Sequence, residues 1–132
     1  MINYKELPAP SNVKIFFGVS GLLLLLTFLV FGDVLSANWR ADDTQILAHA
    51  LKHSVLDNFF NPEVWRQLSP ANLTPWVVAS FEIDLLLFGL SPLGFYTHQL
   101  VAISLVAIAC FVLLRLWLEK RFAFAGALIF ML

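Results

Sequence analysis

The chain has 132 residues, of which 60% are hydrophobic and 13% are charged, and its formal net charge at pH 7 is −1. Soluble domains are about 45–50% apolar, so this composition and the mean hydropathy of +0.83 indicate a membrane protein. The absence of a basic patch argues against a nucleic-acid partner. The single cysteine, Cys110, lies in an apolar run and cannot form a disulfide within the chain.

The N-terminal part is predicted to be a polar cytoplasmic tail, residues 1–12, followed by a first transmembrane helix, residues 13–35. No charged residue occurs in residues 15–32. A helix of the predicted length rises about 34 Å, which is enough to cross a hydrocarbon core of about 30 Å. A cleaved signal peptide is the alternative, but the apolar run is too long for a usual signal peptide, and Phe31-Gly32-Asp33 is a poor cleavage site.

Residues 36–94 are predicted to form a periplasmic or lumenal loop. Apolar residues at helical spacing predict a helix at residues 43–58, and prolines divide the segment that follows. The apolar stretch 76–90 contains Glu82 and Asp84, and each acid at the middle of a bilayer would cost about 2.5–3.5 kcal/mol. This stretch is therefore predicted to be an amphipathic helix that lies at the membrane surface.

The C-terminal part is predicted to contain a second transmembrane helix, residues 95–118, a cytoplasmic turn, residues 119–121, and the start of a third helix, residues 122–132. The last run is too short to cross a bilayer, so we expect the chain to be part of a longer protein. Lys and Arg residues precede the first span and cluster around the turn, whereas the loop is acidic. This distribution predicts a cytoplasmic N-terminus and an all-α integral membrane fold with two spans and a truncated third.

Two adjacent carboxylates, Asp42 and Asp43, follow the first predicted span and carry the strongest chemical signal in the sequence. Acidic side chains at a membrane edge can bind a divalent cation through their oxygens. One of them can also act as a general base on an incoming hydroxyl. The structural alternative is that Asp42, with Gln45 three residues later, forms an N-cap and capping box. The two roles do not exclude each other.

Two histidines, His49 and His53, fall on one helical stripe with Asp42, because they follow it by seven and eleven residues, close to whole numbers of turns. An Asp-His-His set of this kind could ligate zinc. The simpler interpretation is a polar helix face turned to water, which Gln45 and Lys52 would share.

Three short stretches stand out in chain order: Trp39-Arg40-Ala41-Asp42-Asp43, Leu73-Thr74-Pro75-Trp76 and Leu86-Leu87-Phe88-Gly89-Leu90. With the order of span, acidic outward loop, surface helix and second span, they resemble the N-terminal region of GT-C glycosyltransferases, in particular the protein-mannosyltransferase and aminoarabinose-transferase branch. The resemblance implies a transferase that moves a sugar from a polyprenyl-phosphate donor to an acceptor on the outer or lumenal face. It makes Asp42 and Asp43 the catalytic acidic pair.

The other expectations concern ligands and partners. Arg40 is a basic residue of the loop that could meet the donor phosphate, and a divalent metal ion is a candidate cofactor. Family members are several times longer, so we expect this chain to act with the remainder of the transferase or with a larger membrane complex. The alternative function is a small non-catalytic accessory subunit, with spans that pack through Ala102, Ser104, Ala107 and Ala109. In that case the acidic pair is only a helix cap.

Overall fold

The computed structural model describes residues 10–68 and 74–132, and within these residues it is helical and contains no strand. The all-α class predicted from the sequence is therefore confirmed for the described part. The predicted tail up to residue 9 and Leu73 of the second resemblance stretch lie outside it. The helices are α1 (Pro10–Phe31), α2 (Ala41–Ala50), α3 (Val55–Phe60), α4 (Pro62–Leu68), α5 (Pro75–Phe88), α6 (Pro92–Leu114) and α7 (Lys120–Met131). A short 3₁₀ helix, Gly32–Ser36, follows α1.

The chain divides into two compact units. We call residues Met1–Gly32 and Gln99–Leu132 the terminal unit, and residues Asp33–His98 the loop unit. Helix α6 begins in the loop unit and ends in the terminal unit. Each unit has its own apolar core, so each is described separately.

Two helical segments are long and apolar enough to cross a membrane: Val13–Ser36 and Pro92–Leu114. The first matches the predicted span to within a residue. The second begins and ends earlier than the predicted 95–118. Pro92 starts it, because proline is favoured in the first turn of a helix, where its missing N–H is not needed. After Leu114 the chain tightens into a turn, in which Leu116 N–H donates to Leu113 O at 3.1 Å.

Alanines make up half of the buried core of the terminal unit, and their small side chains allow helices to approach closely. Its buried members are Leu23, Ala107, Phe111, Ala123, Ala127 and Met131. The buried Thr27 hydroxyl donates to Leu23 O at 2.9 Å and lies 3.1 Å from Met131 Sδ. Of the small residues predicted to line a packing face, Ser104 and Ala107 are buried and Ala109 is exposed.

The loop unit differs from the prediction, because the helix expected at residues 43–58 is two helices, α2 and α3. The break occurs at Ser54, which has an extended backbone and caps α3 by accepting a hydrogen bond from Asp57 N–H at 3.3 Å. A capping serine of this kind starts a new helix. The single-helix prediction is therefore wrong. The buried core of the unit is Leu47, Ala50, Val78, Phe81 and Phe95.

The bounds of α5, Pro75–Phe88, agree to within two residues with those of the helix predicted at residues 76–90. Pro75 occupies its first turn, and Gly89, with φ of +60°, ends it in a conformation that glycine adopts without strain. Val78, Phe81 and Asp84 are buried on one side of the helix. Large apolar residues remain exposed elsewhere along it and just beyond its end: Trp76, Ile83, Leu86, Leu87 and Leu90.

Candidate functional site

The acidic stretch after the first long helix is anchored by the first turns of α6. The Tyr96 hydroxyl lies 2.9 Å from Asp43 Oδ2 and 3.0 Å from Asn38 O, and it is the donor in both contacts. The Trp39 ring meets the Phe95 ring edge to face, with centroids 4.9 Å apart. Tyr96 is buried. The residues before and at the start of α2 are therefore positioned by a part of the chain that lies far away in sequence.

Helix α2 is capped by Arg40 and Asp43. Arg40 has the extended backbone of an N-cap residue, and its N–H donates to Asp43 Oδ2 at 3.1 Å. Because an arginine side chain has no acceptor, this is the half of a capping box that can form here. The predicted cap on Asp42 and Gln45 is therefore wrong, and the structural role falls on the second acid of the pair.

Asp42 is placed differently from Asp43. It is exposed in the first turn of α2. No hydrogen bond or ion pair links its side chain to the rest of the described chain. The N-terminus of a helix favours negative charge, so this position stabilises the ionised form of the Asp42 carboxylate, which is accessible to an external group. Arg40 is also exposed at this end of the helix.

His49 and His53 do not form the ligand set expected from sequence. His49 is buried near the end of α2, where its Nε2 lies 2.7 Å from Asn58 Oδ1 on α3. His53 lies beyond the end of α2, and the two imidazole centroids are 4.7 Å apart. Because α2 ends at Ala50, His53 lies outside the helix that carries Asp42 and His49, and the predicted three-residue stripe is not formed. The burial of His49 also corrects the alternative of a solvated face.

Among residues 10–68 and 74–132, no group of three or more His, Cys, Asp or Glu side chains is placed to hold a metal ion. Of the acidic pair, Asp42 is the residue whose carboxylate is exposed and has no hydrogen bond or ion pair within the described residues. A divalent cation bound at a single carboxylate would need external ligands such as water to complete its coordination. Binding of a metal ion stays a prediction.

Two polar features of the loop unit were not recognised as sites from sequence. The first is the contact of Tyr96 with Asp43, which no local motif marks. The second is a pair formed by Asp84 and His98, with Oδ1 and Nδ1 2.7 Å apart. The available signal was the position of the two residues on either side of the turn at Gly89 and Pro92.

In comparisons with protein-family models, curated proteins and solved structures, nothing matches this chain. The resemblance to GT-C glycosyltransferases therefore stays an expectation based on short motifs.

Proposed function

We propose that this chain is the N-terminal portion of a membrane glycosyltransferase that moves a sugar from a polyprenyl-phosphate donor to an acceptor on the outer or lumenal face. The observation that carries the proposal is the unequal environment of the two acids at the start of α2. Asp43 is held by Tyr96 and by the backbone of Arg40, whereas Asp42 is exposed. One acid thus positions the stretch and leaves the other available for chemistry. The motif at residues 39–43 supplies the reaction class by resemblance.

The membrane placement is also part of the proposal. Helices α1 and α6 cross the bilayer, the N-terminus is cytoplasmic, and residues 36–94 are on the outer side. Large apolar side chains are exposed on these two helices, and their exposure to water would be unfavourable. Lipid would cover them in a bilayer, which supports this placement. Examples are Leu25 and Leu29 on α1, and Leu105 and Val106 on α6. Helix α5, with Trp76 and Leu86 exposed, lies in the interface.

The proposed step is a displacement at the anomeric carbon of the donor sugar. The acceptor hydroxyl attacks that carbon while its proton passes to the Asp42 carboxylate. The new glycosidic C–O bond forms as the bond to the phosphate oxygen breaks, and polyprenyl phosphate leaves with the electron pair. Asp43 does not exchange the proton, because its Oδ2 already accepts hydrogen bonds from Tyr96 and Arg40. It holds the start of α2 in place, and Arg40 is available to the leaving phosphate.

The proposal is tested with sealed membrane vesicles enriched in the protein and supplied with polyprenyl-phosphate sugars labelled in the sugar. We expect transfer of label to an endogenous acceptor, and only when the donor can reach the outer face. Vesicles of opposite orientation provide the comparison, and vesicles from cells without the protein give the background. Label incorporation at background level with every donor would contradict the proposed activity.

The accessory-subunit function is favoured by one observation, namely that the interactions of Asp43 are all those of a helix cap and its anchor. It predicts a partner at fixed stoichiometry that carries the activity itself. Replacing Asp42 by Asn would then leave the activity of the purified complex unchanged. A loss of transfer in that variant favours the catalytic proposal.

A further inference from the structure

The turn between α5 and α6 is closely packed. Gly89 has a positive φ of 60° at the end of α5, and Pro92 begins α6. The Phe88 ring occupies the space that a side chain at position 94 would fill. A Cβ on Gly94 would come within 2.7 Å of Phe88 Cδ2. This contact leaves no room for a residue larger than glycine. The C-terminal end of α5 therefore packs against the N-terminal end of α6.

This packing places the buried Asp84 of α5 beside His98 of α6. Asp84 is 1% exposed, whereas the His98 side chain is 38% exposed, and Oδ1 and Nδ1 are 2.7 Å apart. The two atoms are at ion-pair distance but lack the alignment of a hydrogen bond. Neither carboxylate oxygen has a hydrogen-bond partner in the described part of the chain. His98 is therefore the group there that can compensate the charge of Asp84.

The chemistry of this pair depends on which nitrogen of the imidazole is engaged. An unpaired buried carboxylate is strongly unfavourable, and a protonated imidazole beside it makes the pair neutral. With Nδ1 against Asp84, the second nitrogen, Nε2, is left as a donor. The His98 side chain is 38% exposed, so an external group can reach the ring. When the imidazole is protonated, the pair presents a cationic N–H group to an external anion.

The surface near the pair is apolar and suits a lipid. Ile83 precedes Asp84 directly, Leu87 lies about one helical turn after it, and both are exposed. A ligand with an anionic head and a hydrocarbon tail matches a cationic N–H group beside such a surface. We propose that Asp84 and His98 form a second binding site, in which Asp84 positions the His98 imidazole to bind the phosphate of a lipid. We take this lipid to be the polyprenyl-phosphate donor, and the inference therefore rests on the proposed function.

The test compares three lipids added to the full chain in nanodiscs of phosphatidylcholine: polyprenyl phosphate, polyprenol of the same length, and phosphatidic acid. His98→Gln keeps an amide that can donate to Asp84 and removes the imidazole charge. His53→Gln, in a partly buried histidine outside the pair, is the matched control. We expect His98→Gln to weaken binding of polyprenyl phosphate about tenfold, the effect of losing one hydrogen bond to a charged group. Binding of polyprenol should not change, and His53→Gln should bind all three lipids like the unmodified chain.

The outcomes separate this inference from the proposed function. An equal loss for polyprenyl phosphate and polyprenol would mean that His98 only supports the fold and would overturn the site. Unchanged binding in His98→Gln would also overturn it, while transfer by the unmodified chain would leave the proposed function standing. A tenfold loss for phosphatidic acid as well would keep the phosphate site and assign it to membrane phospholipid. If the unmodified chain binds polyprenyl phosphate no better than polyprenol, both the site and the proposed donor are wrong.

The role of Asp84 is tested by Asp84→Asn, which keeps an acceptor for Nδ1 and removes the charge. We expect this variant to lose affinity for polyprenyl phosphate while its affinity for polyprenol is retained. The ¹⁵N chemical shift of His98 Nε2 should move on addition of polyprenyl phosphate to the unmodified chain and should not move in the Asp84→Asn chain. An equal movement in both would show that Asp84 does not position the imidazole.

Discussion

Tyr96→Phe removes one hydroxyl from the contact that anchors the acidic stretch and keeps the aromatic ring beside Trp39. That hydroxyl donates to Asp43 Oδ2 at 2.9 Å, with Asn38 O at 3.0 Å as a second acceptor. A hydrogen bond to a charged group contributes about 1.5–3 kcal/mol. Asp43 keeps its bond from Arg40 N–H and is partly exposed, so we expect a loss of about 1–2 kcal/mol in the free energy of local unfolding. This corresponds to a roughly 5–30-fold increase in the open population at the start of α2.

Hydrogen–deuterium exchange of the peptide that spans residues 38–47 measures this opening, because exchange of protected amides follows the free energy of local unfolding. A double-mutant cycle provides the control. If the hydroxyl acts through the carboxylate, Tyr96→Phe should have a much smaller effect in an Asp43→Asn background. Equal acceleration in both backgrounds, or unchanged exchange in the single variant, would refute the proposed anchor.

Three further predictions concern the loop unit. Gly94→Ala should lower the Tm. The overlap of the new methyl group with Phe88 costs about 1–3 kcal/mol, whereas the gain in helix propensity is at most about 1 kcal/mol. A raised Tm would show that the turn is not tightly packed. Burial raises the pKa of Glu82 above its ordinary value of 4.5. The folded chain therefore loses stability as the pH rises from 4.5 through the raised pKa, because the buried carboxyl group must ionise. Glu82→Gln should therefore raise the Tm at pH 7, with a gain that shrinks towards pH 4.5. Asn58→Leu should lower the free energy of unfolding in urea by about 1–3 kcal/mol, because it leaves the buried His49 Nε2 without its partner; an unchanged midpoint would count against that role.

The long helices could be predicted from sequence because their signal is local. An uninterrupted apolar run indicates both the type and the approximate length of a helical segment, and the predicted first span, residues 13–35, agrees to within a residue with the apolar helical segment Val13–Ser36. The predicted start of the second span, residue 95, is three residues later than the start of α6, because Pro92 forms the first turn of this helix.

The break between α2 and α3 could not be found from apolar spacing alone. Apolar residues continue past it at Leu51 and Val55, so the helical pattern remains intact. The capping interaction of Ser54 with Asp57 N–H outweighs that pattern. The same break removes the stripe on which the zinc prediction depended, so one missed cap affected both the fold and the predicted site.

The candidate site was located from sequence, but its internal organisation was not. The acidic pair can be recognised from sequence because Asp42 and Asp43 are adjacent. The different environments of Asp42 and Asp43 depend on Tyr96, which follows Asp43 by 53 positions. The pairing of Asp84 with His98 likewise has no local signal, because only the folded turn between them brings their side chains together.

The most direct test of the central claim is the rate of sugar transfer from a polyprenyl-phosphate donor in membranes that carry the Asp42→Asn protein. Glu63→Gln is the matched control, because Glu63 is also an exposed acid in the first turn of a helix. Loss of a general base typically lowers a rate about 10²–10⁴-fold. We predict a loss of this size for Asp42→Asn at equal amounts of inserted protein, and an unchanged rate for Glu63→Gln. Transfer by the Asp42→Asn protein at the rate of the control would contradict the assignment of catalysis to Asp42.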